Sequence, residues 1–579
     1  MRKTFALAIF GCLTSCQKAA YPDASEEPVV HTKSVKASPK SDTSEPMAAP
    51  VVVALKMAPA PETSRTLGLA GHGAGGGGRG AIGDLGGTLS PMGGYAGAAG
   101  MGGLGLRGTG GIGAGRTTVR GYDTATSEDY GRPTINVWTL TGTDHLSTFA
   151  ADVDTASYTL ARAKLLSGTL PPSNSVRVEE WLNYFKYAYP QPERGAPMSV
   201  TMDATPSPFN PHRVLLRVGV QGRSVDMAER KNAHLTFLVD VSGSMSSAER
   251  LPLAKRALRM LVDQLHDGDT VALVTYAGSV RVVLPHTELA FKAQIHQAIE
   301  ALSAGGSTAM SSGIELAYQQ ALSVLDSTST SRVLILSDGD ANVGGTSHEQ
   351  ILKSIAGHVK EGVTVTTIGF GMGNYKSNLM EQLADKGNGN HYYVDSMLAA
   401  KRIFVEQLGS TLEIIAQDVK LQVDFDPAQV AAYRLVGYEN RDIADRDFRN
   451  DRVDAGEVGS GHRVTALYEL ELKEGAGQGL ATVRLRAKAP RGTTANEKTF
   501  VFSAAKLTTR FQDAPRDLRF ATSVMGAAEI FRRSPDAAEW DYELVRKIAA
   551  EATDGEAERL EFLSLLEHAR ALGNRVASR

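Results

Sequence analysis

The strongest constraint on the fold is a central segment, residues 232–412, in which short β-branched apolar runs alternate with stretches of helical periodicity. Such alternation predicts an α/β domain, Rossmann-like, with a mostly parallel sheet that helices cover on both faces. The ligand site of such a sheet lies beyond the carboxyl ends of its strands. The predicted strands are 235–239, 271–275, 280–284, 333–336, 363–368 and 392–394, and the predicted helices are 251–265, 290–302, 312–325, 351–359, 379–383 and 399–408.

Oxygen-bearing side chains lie on three loops of this segment. The first strand leads directly into Asp240, Ser242 and Ser244 on one loop. Two glycines and a serine place Thr308 on a second loop, and the strand 333–336 ends just before Asp338. Because the carboxyl ends of parallel strands share one edge of the sheet, we expect these five side chains to lie together.

Two carboxylates and three hydroxyls, with no histidine or cysteine, suit Mg²⁺, Mn²⁺ or Ca²⁺ and suit zinc poorly. Mg²⁺ prefers an octahedral oxygen shell, so water or a ligand must complete the coordination. Ser, Thr and Asp are also the preferred helix caps, and any one of the five residues taken alone fits that role better. Their joint occurrence at three strand ends favours the metal site.

The pattern Asp240-x-Ser242-x-Ser244, with Thr308 and Asp338, resembles the metal-ion-dependent adhesion site (MIDAS) of von Willebrand factor type A (VWA) domains. The resemblance implies a divalent metal held by these five residues, partly through waters. It also implies an open coordination position that takes an acidic side chain from a partner protein.

The sequence contains few signs of an enzyme. Asp152 and Asp154 superficially resemble the motif of haloacid dehalogenase phosphatases, but the following threonine is one position early, and a turn or helix cap accounts for them better. A hydrolase built on the two metal-site aspartates lacks an adjacent base, because the nearby His234 is predicted at the opposite end of its strand, on the surface. We therefore expect no enzymatic activity and no catalytic residue.

The N-terminus has the order of a secretory signal: two basic residues, then the apolar run 5–13. The run ends in Leu13-Thr14-Ser15-Cys16, which resembles the lipobox of bacterial lipoproteins, so residues 1–15 would be the signal peptide and Cys16 the acylated residue. An ordinary secretory signal with an incidental cysteine is the alternative. Gln17 resembles the pattern sorted to the outer membrane of Gram-negative bacteria.

Residues 16–133 are too rich in Pro, Ser and Gly to bury a core, and the window 68–115 alone holds 23 of the 59 glycines. We expect a disordered tether, with an end-to-end distance on the order of 60 Å if it behaves as a random coil. The net charge of −3, without a dense basic stripe, predicts no nucleic-acid partner.

Strand patterns flank the central segment on both sides, which predicts a β-sandwich into which the metal domain is inserted. Residues 134–231 form the first flank, 413–510 the second, and 511–579 a helical C-terminal region. The predicted flanking strands are 199–204, 214–220, 419–425, 464–472, 481–487 and 500–503, and the C-terminal helices are 518–531, 544–552 and 557–572.

Four segments outside the central domain resemble a group of bacterial VWA lipoproteins whose C-terminal region has no established function: 147–158, 176–185, 437–441 and 517–521. The expected function is metal-dependent protein binding, in adhesion or assembly, to an envelope or extracellular protein that presents an acidic residue. Binding would adjust the metal-site loops and shift the last helix, and a lipid anchor would hold the chain at the cell envelope. A scaffold with a purely stabilising ion and a metal-dependent hydrolase are the alternatives.

Overall fold

The computed structural model describes Tyr130 and residues 134–151, 153–307, 310–339, 348–371, 377–476 and 479–577. The predicted signal peptide, Cys16 and almost all of the predicted tether lie outside these residues. The strands are β1 Thr139–Leu140, β2 Leu146–Ala150, β3 Met198–Pro206, β4 Arg213–Gly222, β5 Ala233–Asp240, β6 Thr270–Tyr276, β7 Val280–Glu288, β8 Thr330–Ser337, β9 Val363–Phe370, β10 His391–Val394, β11 Ile414–Phe425, β12 Val430–Val436, β13 Gly456–Gly459, β14 Arg463–Leu472, β15 Ala481–Lys488 and β16 Ala495–Val501.

The α-helices fall into three groups along the chain. They are α1 Ala156–Leu166 and α2 Val178–Tyr184 before the central domain; α3 Leu251–Asp263, α4 Lys292–Glu300, α5 Met310–Ser323, α6 His348–Glu361, α7 Ser377–Lys386, α8 Met397–Lys401 and α9 Leu408–Leu412 within it; and α10 Arg516–Phe531, α11 Tyr542–Ala552 and α12 Ala557–Ala577 at the C-terminus. Among the described residues, none of these helices combines the length and apolar character needed to cross a bilayer.

The central sheet confirms the predicted α/β fold. Its six strands run in the order β10-β9-β8-β5-β6-β7, and all neighbours are parallel except β6 and β7. The antiparallel edge follows from a three-residue connection between Tyr276 and Val280, which is far too short for a crossover helix. Helices α3 and α4 contribute to the hydrophobic core on one face, and α5, α6 and α7 to the core on the other.

The buried face of helix α3 is the one that carries its regularly spaced apolar residues. Leu251, Ala254, Leu258 and Leu261 recur at three- and four-residue spacing, and all four are buried against the sheet. Pro252 stands in the first turn, where its missing N–H leaves no helical hydrogen bond unmade.

Two further sheets form the predicted sandwich, with the central domain inserted between β4 and β11. One has the order β1-β12-β14-β4-β3 and the other β13-β11-β15-β16, with β2 also paired to β11. Every second residue of β15 from Ala481 to Ala487 is buried, as a strand facing a core on one side requires. The predicted strand 500–503 is wrong in position, because the residues that pair with β15 are those of β16.

The C-terminal helices pack with α1 and α2, two helices that the sequence analysis did not predict. An aromatic cluster joins them, in which the Phe185 ring lies 4.9 Å from that of Phe520 and 5.4 Å from that of Phe562. Trp181 on α2 is 1% exposed and contacts the ring of Tyr158 on α1 edge-on at 5.4 Å. The segments flanking the central domain therefore share one helical core.

Two of the segments that resemble the lipoprotein group, 147–158 and 437–441, meet at the junction between the central domain and the sandwich. Asp154 accepts a hydrogen bond from the His391 backbone N–H at 2.8 Å and pairs with Arg441 at 3.2 Å, and Arg441 also pairs with Asp385 on α7 at 2.6 Å. The prediction that Asp154 serves as a turn or helix cap is therefore wrong. Its carboxylate connects β10, through the His391 backbone, to Arg441 in the segment after β12. Asp152, the other aspartate of that motif, lies outside the described residues.

The predicted last helix of the central domain, 399–408, is interrupted. It consists of α8, a π-helical turn Arg402–Glu406 and α9. The Arg402 side chain is almost fully buried, pairs with Glu558 on α12, donates to the Tyr184 carbonyl oxygen and lies 3.7 Å from the centre of the Tyr184 ring. This segment is thus fixed to the helical region by a buried cation.

The edge strand β7 contains a histidine whose neutral form is favoured in the folded protein. Burial, and secondarily the nearby His234, lower the pKa of His286 to about 4, and its ring nitrogens contact the hydroxyls of Thr270 at 2.8 Å and Thr236 at 3.2 Å. An unfolded histidine has a pKa of about 6.5, so the unfolded chain binds the extra proton between these two values.

We therefore expect the free energy of unfolding to fall by about 1–3 kcal/mol as the pH drops from about 6.5 to about 4, owing to this residue. The substitution His286→Gln should flatten that part of the stability curve, measured by urea unfolding at a series of pH values. His212→Gln, which removes an exposed histidine, is the control. An unchanged slope in His286→Gln would contradict the assignment.

Candidate metal centre

The central sheet brings the two predicted carboxylates together. Strands β5 and β8 are hydrogen-bonded neighbours, with Val239 opposite Leu336, so Asp240 and Asp338 emerge at the same edge. The chain leaves β5 toward β6 on one side and later returns as β8 on the other, which makes this edge the topological switch point. Both aspartates have 0% relative exposure.

Asp240 is oriented by two hydrogen bonds. Its Oδ1 accepts from the Ser242 backbone N–H at 2.9 Å, and its Oδ2 accepts from the Ser337 hydroxyl at 3.0 Å. Ser337 also accepts from the Gly339 backbone N–H at 3.0 Å, which ties it to the loop that carries Asp338. Ser337 was not among the predicted site residues, although its place at the end of a strand beside a predicted ligand was a usable signal.

The two serines of the first loop share one turn. Ser242 is 2% exposed and precedes the 3₁₀ turn Gly243–Ser246, and its hydroxyl lies 3.0 Å from that of Ser244. The structure therefore places Asp240, Ser242 and Ser244 as one group, with Asp338 on the neighbouring strand.

The electrostatics of this group fit a hard divalent cation. Burial raises the pKa of Asp240, the Asp338 charge raises it further, and hydrogen bonds from Ser242 and Ser337 oppose the shift. Two neighbouring buried carboxylates disfavour their own negative charge, and a cation between them relieves that cost. The accompanying donors are hydroxyl oxygens, which Mg²⁺, Mn²⁺ and Ca²⁺ accept.

Thr308, the fifth predicted ligand, lies outside the described residues and stays a prediction. The loop leading to it does approach the first loop: the Gly243 N–H donates to the Gly306 carbonyl at 3.0 Å, and the Gly305 N–H donates to the Val241 carbonyl at 2.7 Å. Gly306 has φ +89° and sits so close to Gly278 that a Cβ there would lie 3.0 Å from the Gly278 nitrogen. Only glycine meets both requirements without strain.

Arg250 is a second residue that the sequence analysis missed. It precedes α3, and its Nη1 donates to the Asp338 Oδ2 at 2.9 Å and to the Ser244 carbonyl at 2.7 Å. A guanidinium therefore bridges two of the loops that carry predicted ligands. No local pattern marks such a residue, because the contact with Asp338 spans 88 positions of sequence.

His234 lies at the amino end of β5, as predicted, and so at the opposite edge from the carboxylates. The residue is less exposed than the predicted surface position implies: the side chain is 13% exposed, and its Nδ1 lies 2.8 Å from the Thr270 hydroxyl. Among the described residues there is no group of three or more His, Cys, Asp or Glu side chains arranged to hold a metal. The candidate centre has two carboxylates, and its other oxygen ligands are hydroxyls.

Similarity to known proteins identifies the family of the chain. The family model described as von Willebrand factor type A domain matches residues 234–406, one described as von Willebrand factor matches 124–217, and one described as the C-terminal part of the uncharacterized protein YfbK matches 410–572. The chain is 36% identical over 449 residues to YfbK of Escherichia coli (strain K12), an alignment that covers 73% of this chain and 77% of that protein. The chain belongs to the YfbK family of VWA-domain proteins.

Two further similarities are more distant than that to YfbK. The chain is 30% identical over 151 residues to the 60 kDa subunit of magnesium chelatase from Rhodobacter capsulatus, covering 25% of this chain and 26% of the subunit. The solved structure of a von Willebrand factor type A protein from Catenulispora acidiphila matches with 16% identity and a TM-score of 0.40, covering 64% of this chain and 88% of that one. VWA domains generally mediate metal-dependent protein interactions, and they often bind the ion at a MIDAS.

Proposed function

We propose that this member of the YfbK family is a metal-dependent protein-binding module of a cell-envelope lipoprotein, acting in adhesion or assembly. The observation that carries the proposal is the pair of buried carboxylates, Asp240 and Asp338, at one edge of the sheet beside the hydroxyls of Ser242 and Ser244. Mg²⁺ is the proposed ion, with Mn²⁺ or Ca²⁺ as alternatives of the same hard class. When bound, the ion offers a coordination position to a partner's carboxylate.

The chain's own residues have distinct roles in this proposal. Ser242 and Ser337 orient the Asp240 carboxylate through the hydrogen bonds at 2.9 and 3.0 Å. Ser242 and Ser244 present hydroxyl oxygens from one turn, and Thr308 supplies a further hydroxyl from the second loop. Burial of the two aspartates strengthens their interaction with a cation relative to the same groups in water.

Binding fits these surroundings better than hydrolysis does. Metal-assisted hydrolysis needs a base that takes a proton from the attacking water. The described hydrogen bonds of the Asp240 carboxylate are with serine groups, and the Asp338 carboxylate contacts the guanidinium of Arg250, which has donors and no acceptor. Burial, and secondarily the Asp240 charge, raise the pKa of the neighbouring Tyr276 hydroxyl well above its usual value, so it does not supply the base. His234 stands at the other end of β5. We therefore propose that the protein is not an enzyme.

The envelope location rests on the N-terminal sequence. We propose that Cys16 is acylated, that residues 16–133 form the tether, and that the chain is held at the outer membrane if the organism is Gram-negative. The proposed partner is an envelope or extracellular protein that presents an acidic residue, and nucleic acid is not a proposed ligand. Any accompanying shift of the last helix of the central domain must break the contacts of Arg402 with Glu558 and Tyr184.

The open coordination position is testable with Mn²⁺ as the probe. Mn²⁺ bound to the full-length protein should enhance water proton relaxation, and added acetate should reduce this enhancement saturably because it displaces a bound water. Acetamide, which has the same shape without the charge, is the matched control and should have little effect. Mn²⁺ binding that acetate leaves unchanged would favour the purely stabilising ion of a scaffold.

A further inference from the structure

Arg250 is built into the candidate metal centre from two sides. Its Nη1 contacts both the Asp338 carboxylate and the Ser244 carbonyl, and its side chain is only 13% exposed. On its other side it lies against Gly371, at the end of β9, where a Cβ would come within 2.6 Å of the Arg250 Cγ. Gly371 has φ +74°, and its carbonyl accepts a hydrogen bond from the Tyr393 hydroxyl at 2.7 Å. A fixed glycine thus provides the space that the arginine occupies.

The charges of the site show what this arginine contributes. The carboxylates of Asp240 and Asp338 carry two negative charges, which a divalent ion alone would neutralise. The guanidinium adds one positive charge directly beside Asp338. The ion-loaded site then carries one net positive charge.

We propose that Arg250 is a fixed cation of the metal centre: it positions Asp338 against the Ser244 loop, and it sets the preference of the loaded site for an anionic ligand. This inference rests on the proposed function and names the residue that determines the charge of the ligand. Repulsion between the guanidinium and the ion weakens metal binding, while the same charge attracts a carboxylate. The two affinities therefore respond to Arg250 in opposite directions.

The variant Arg250→Gln removes the charge and keeps a hydrogen-bond donor at this position. In the full-length protein we expect it to bind Mn²⁺ about 3- to 10-fold more tightly, and its Mn²⁺-loaded form to bind acetate about 3- to 10-fold more weakly. Both constants are measured by titration with water proton relaxation. A merely structural role would weaken both affinities, because disordered loops hold neither the ion nor the ligand well.

Two further variants complete the test. Arg250→Lys keeps the positive charge and should leave both constants within about 2-fold of the unaltered protein. Arg213→Met removes an arginine of similar exposure, 17%, from an ion-pair cluster in the sandwich and should change neither constant. Circular dichroism confirms that each variant is folded, and if Arg250→Gln does not fold, Arg250→Leu, which also removes the charge, takes its place with the same two expected shifts.

The outcomes separate this inference from the proposed function. Tighter Mn²⁺ binding together with weaker acetate binding in Arg250→Gln supports the fixed cation. If both affinities move in the same direction, if either is unchanged, or if Arg250→Lys alters them by more than about 2-fold, the inference is overturned while the metal site stands. If neither the unaltered protein nor Arg250→Gln binds Mn²⁺, the proposed function fails, and this inference fails with it.

Discussion

Replacement of Asp240 by asparagine should make the protein more stable without a divalent ion and less stable than the unaltered protein with one. Asp240 and Asp338 are both fully buried, and Asn keeps the shape of Asp while it removes one of the two like charges. Its side chain still accepts from the Ser242 N–H and can donate to the Ser337 hydroxyl. We expect a gain of about 1–2 kcal/mol in chelator, because a buried charge near another of the same sign opposes folding.

With Mg²⁺ the order should reverse. An ion that binds only the folded state adds about 2.7 kcal/mol of stability at 100 times its dissociation constant. The unaltered protein should gain this stability from the bound ion, whereas Asp240→Asn should gain almost none of it. Thermal unfolding of the full-length protein in chelator and in excess Mg²⁺ measures both effects.

The control for this reversal is Asp263→Asn, which removes an exposed carboxylate from α3 and should leave the response to Mg²⁺ unchanged. If Mg²⁺ stabilises Asp240→Asn as much as it stabilises the unaltered protein, Asp240 is not a ligand. The buried pair of aspartates would then need another explanation.

The largest loss of stability should follow the substitution Arg434→Met in the sandwich. The Arg434 Nη2 lies 2.6 Å from the Glu469 Oε2 and 3.0 Å from the Glu529 Oε2, and all three side chains have 0% exposure. Glu469 is on β14 and Glu529 on α10, so this arginine joins the sheet to the helical region. Without it, two buried carboxylates lose their shared cation.

We expect a loss of about 3–5 kcal/mol, which is typical when one member of a buried ion pair is removed. The three tryptophans, Trp138, Trp181 and Trp540, all lie outside the central domain, so tryptophan fluorescence during urea unfolding reports on the affected region. Arg449→Met is the control, because that arginine is 64% exposed and pairs with Glu497 at the surface, where a loss below about 1 kcal/mol is expected. Equal losses in the two variants would refute the importance of burial here.

The sequence predicted the central fold well because its strands are buried on both faces. β9 is apolar or β-branched except at Gly369, and residues 333–336 of β8 are all apolar. A short run of that kind between stretches of helical periodicity is typical of a buried strand. Burial on several sides also explains why the sequence did not predict α1. This helix is buried on nearly all sides and includes buried Ser157, Thr159 and Arg162, so it has no apolar stripe.

The candidate metal centre was predictable only as far as the local spacing of residues along the sequence reaches. Asp240, Ser242 and Ser244 follow one strand, and Asp338 follows another, so the pattern alone placed them at one edge. Arg250 acts through a contact with a residue 88 positions away, which leaves no local pattern, and Ser337 contacts a residue 97 positions away, so that only its place beside Asp338 marks it in the sequence. The sequence therefore indicated the positions of the predicted ligands better than it indicated the residues that contact them.

Calorimetric titration of Mg²⁺ and Mn²⁺ into the full-length protein tests the central claim most directly, with the Asp240→Ala/Asp338→Ala double variant beside it. We predict saturable binding of one ion per chain in the unaltered protein and no saturable binding in the double variant. Absence of binding in the unaltered protein, or equal binding in the double variant, would contradict the metal centre and leave these residues as loop and turn formers.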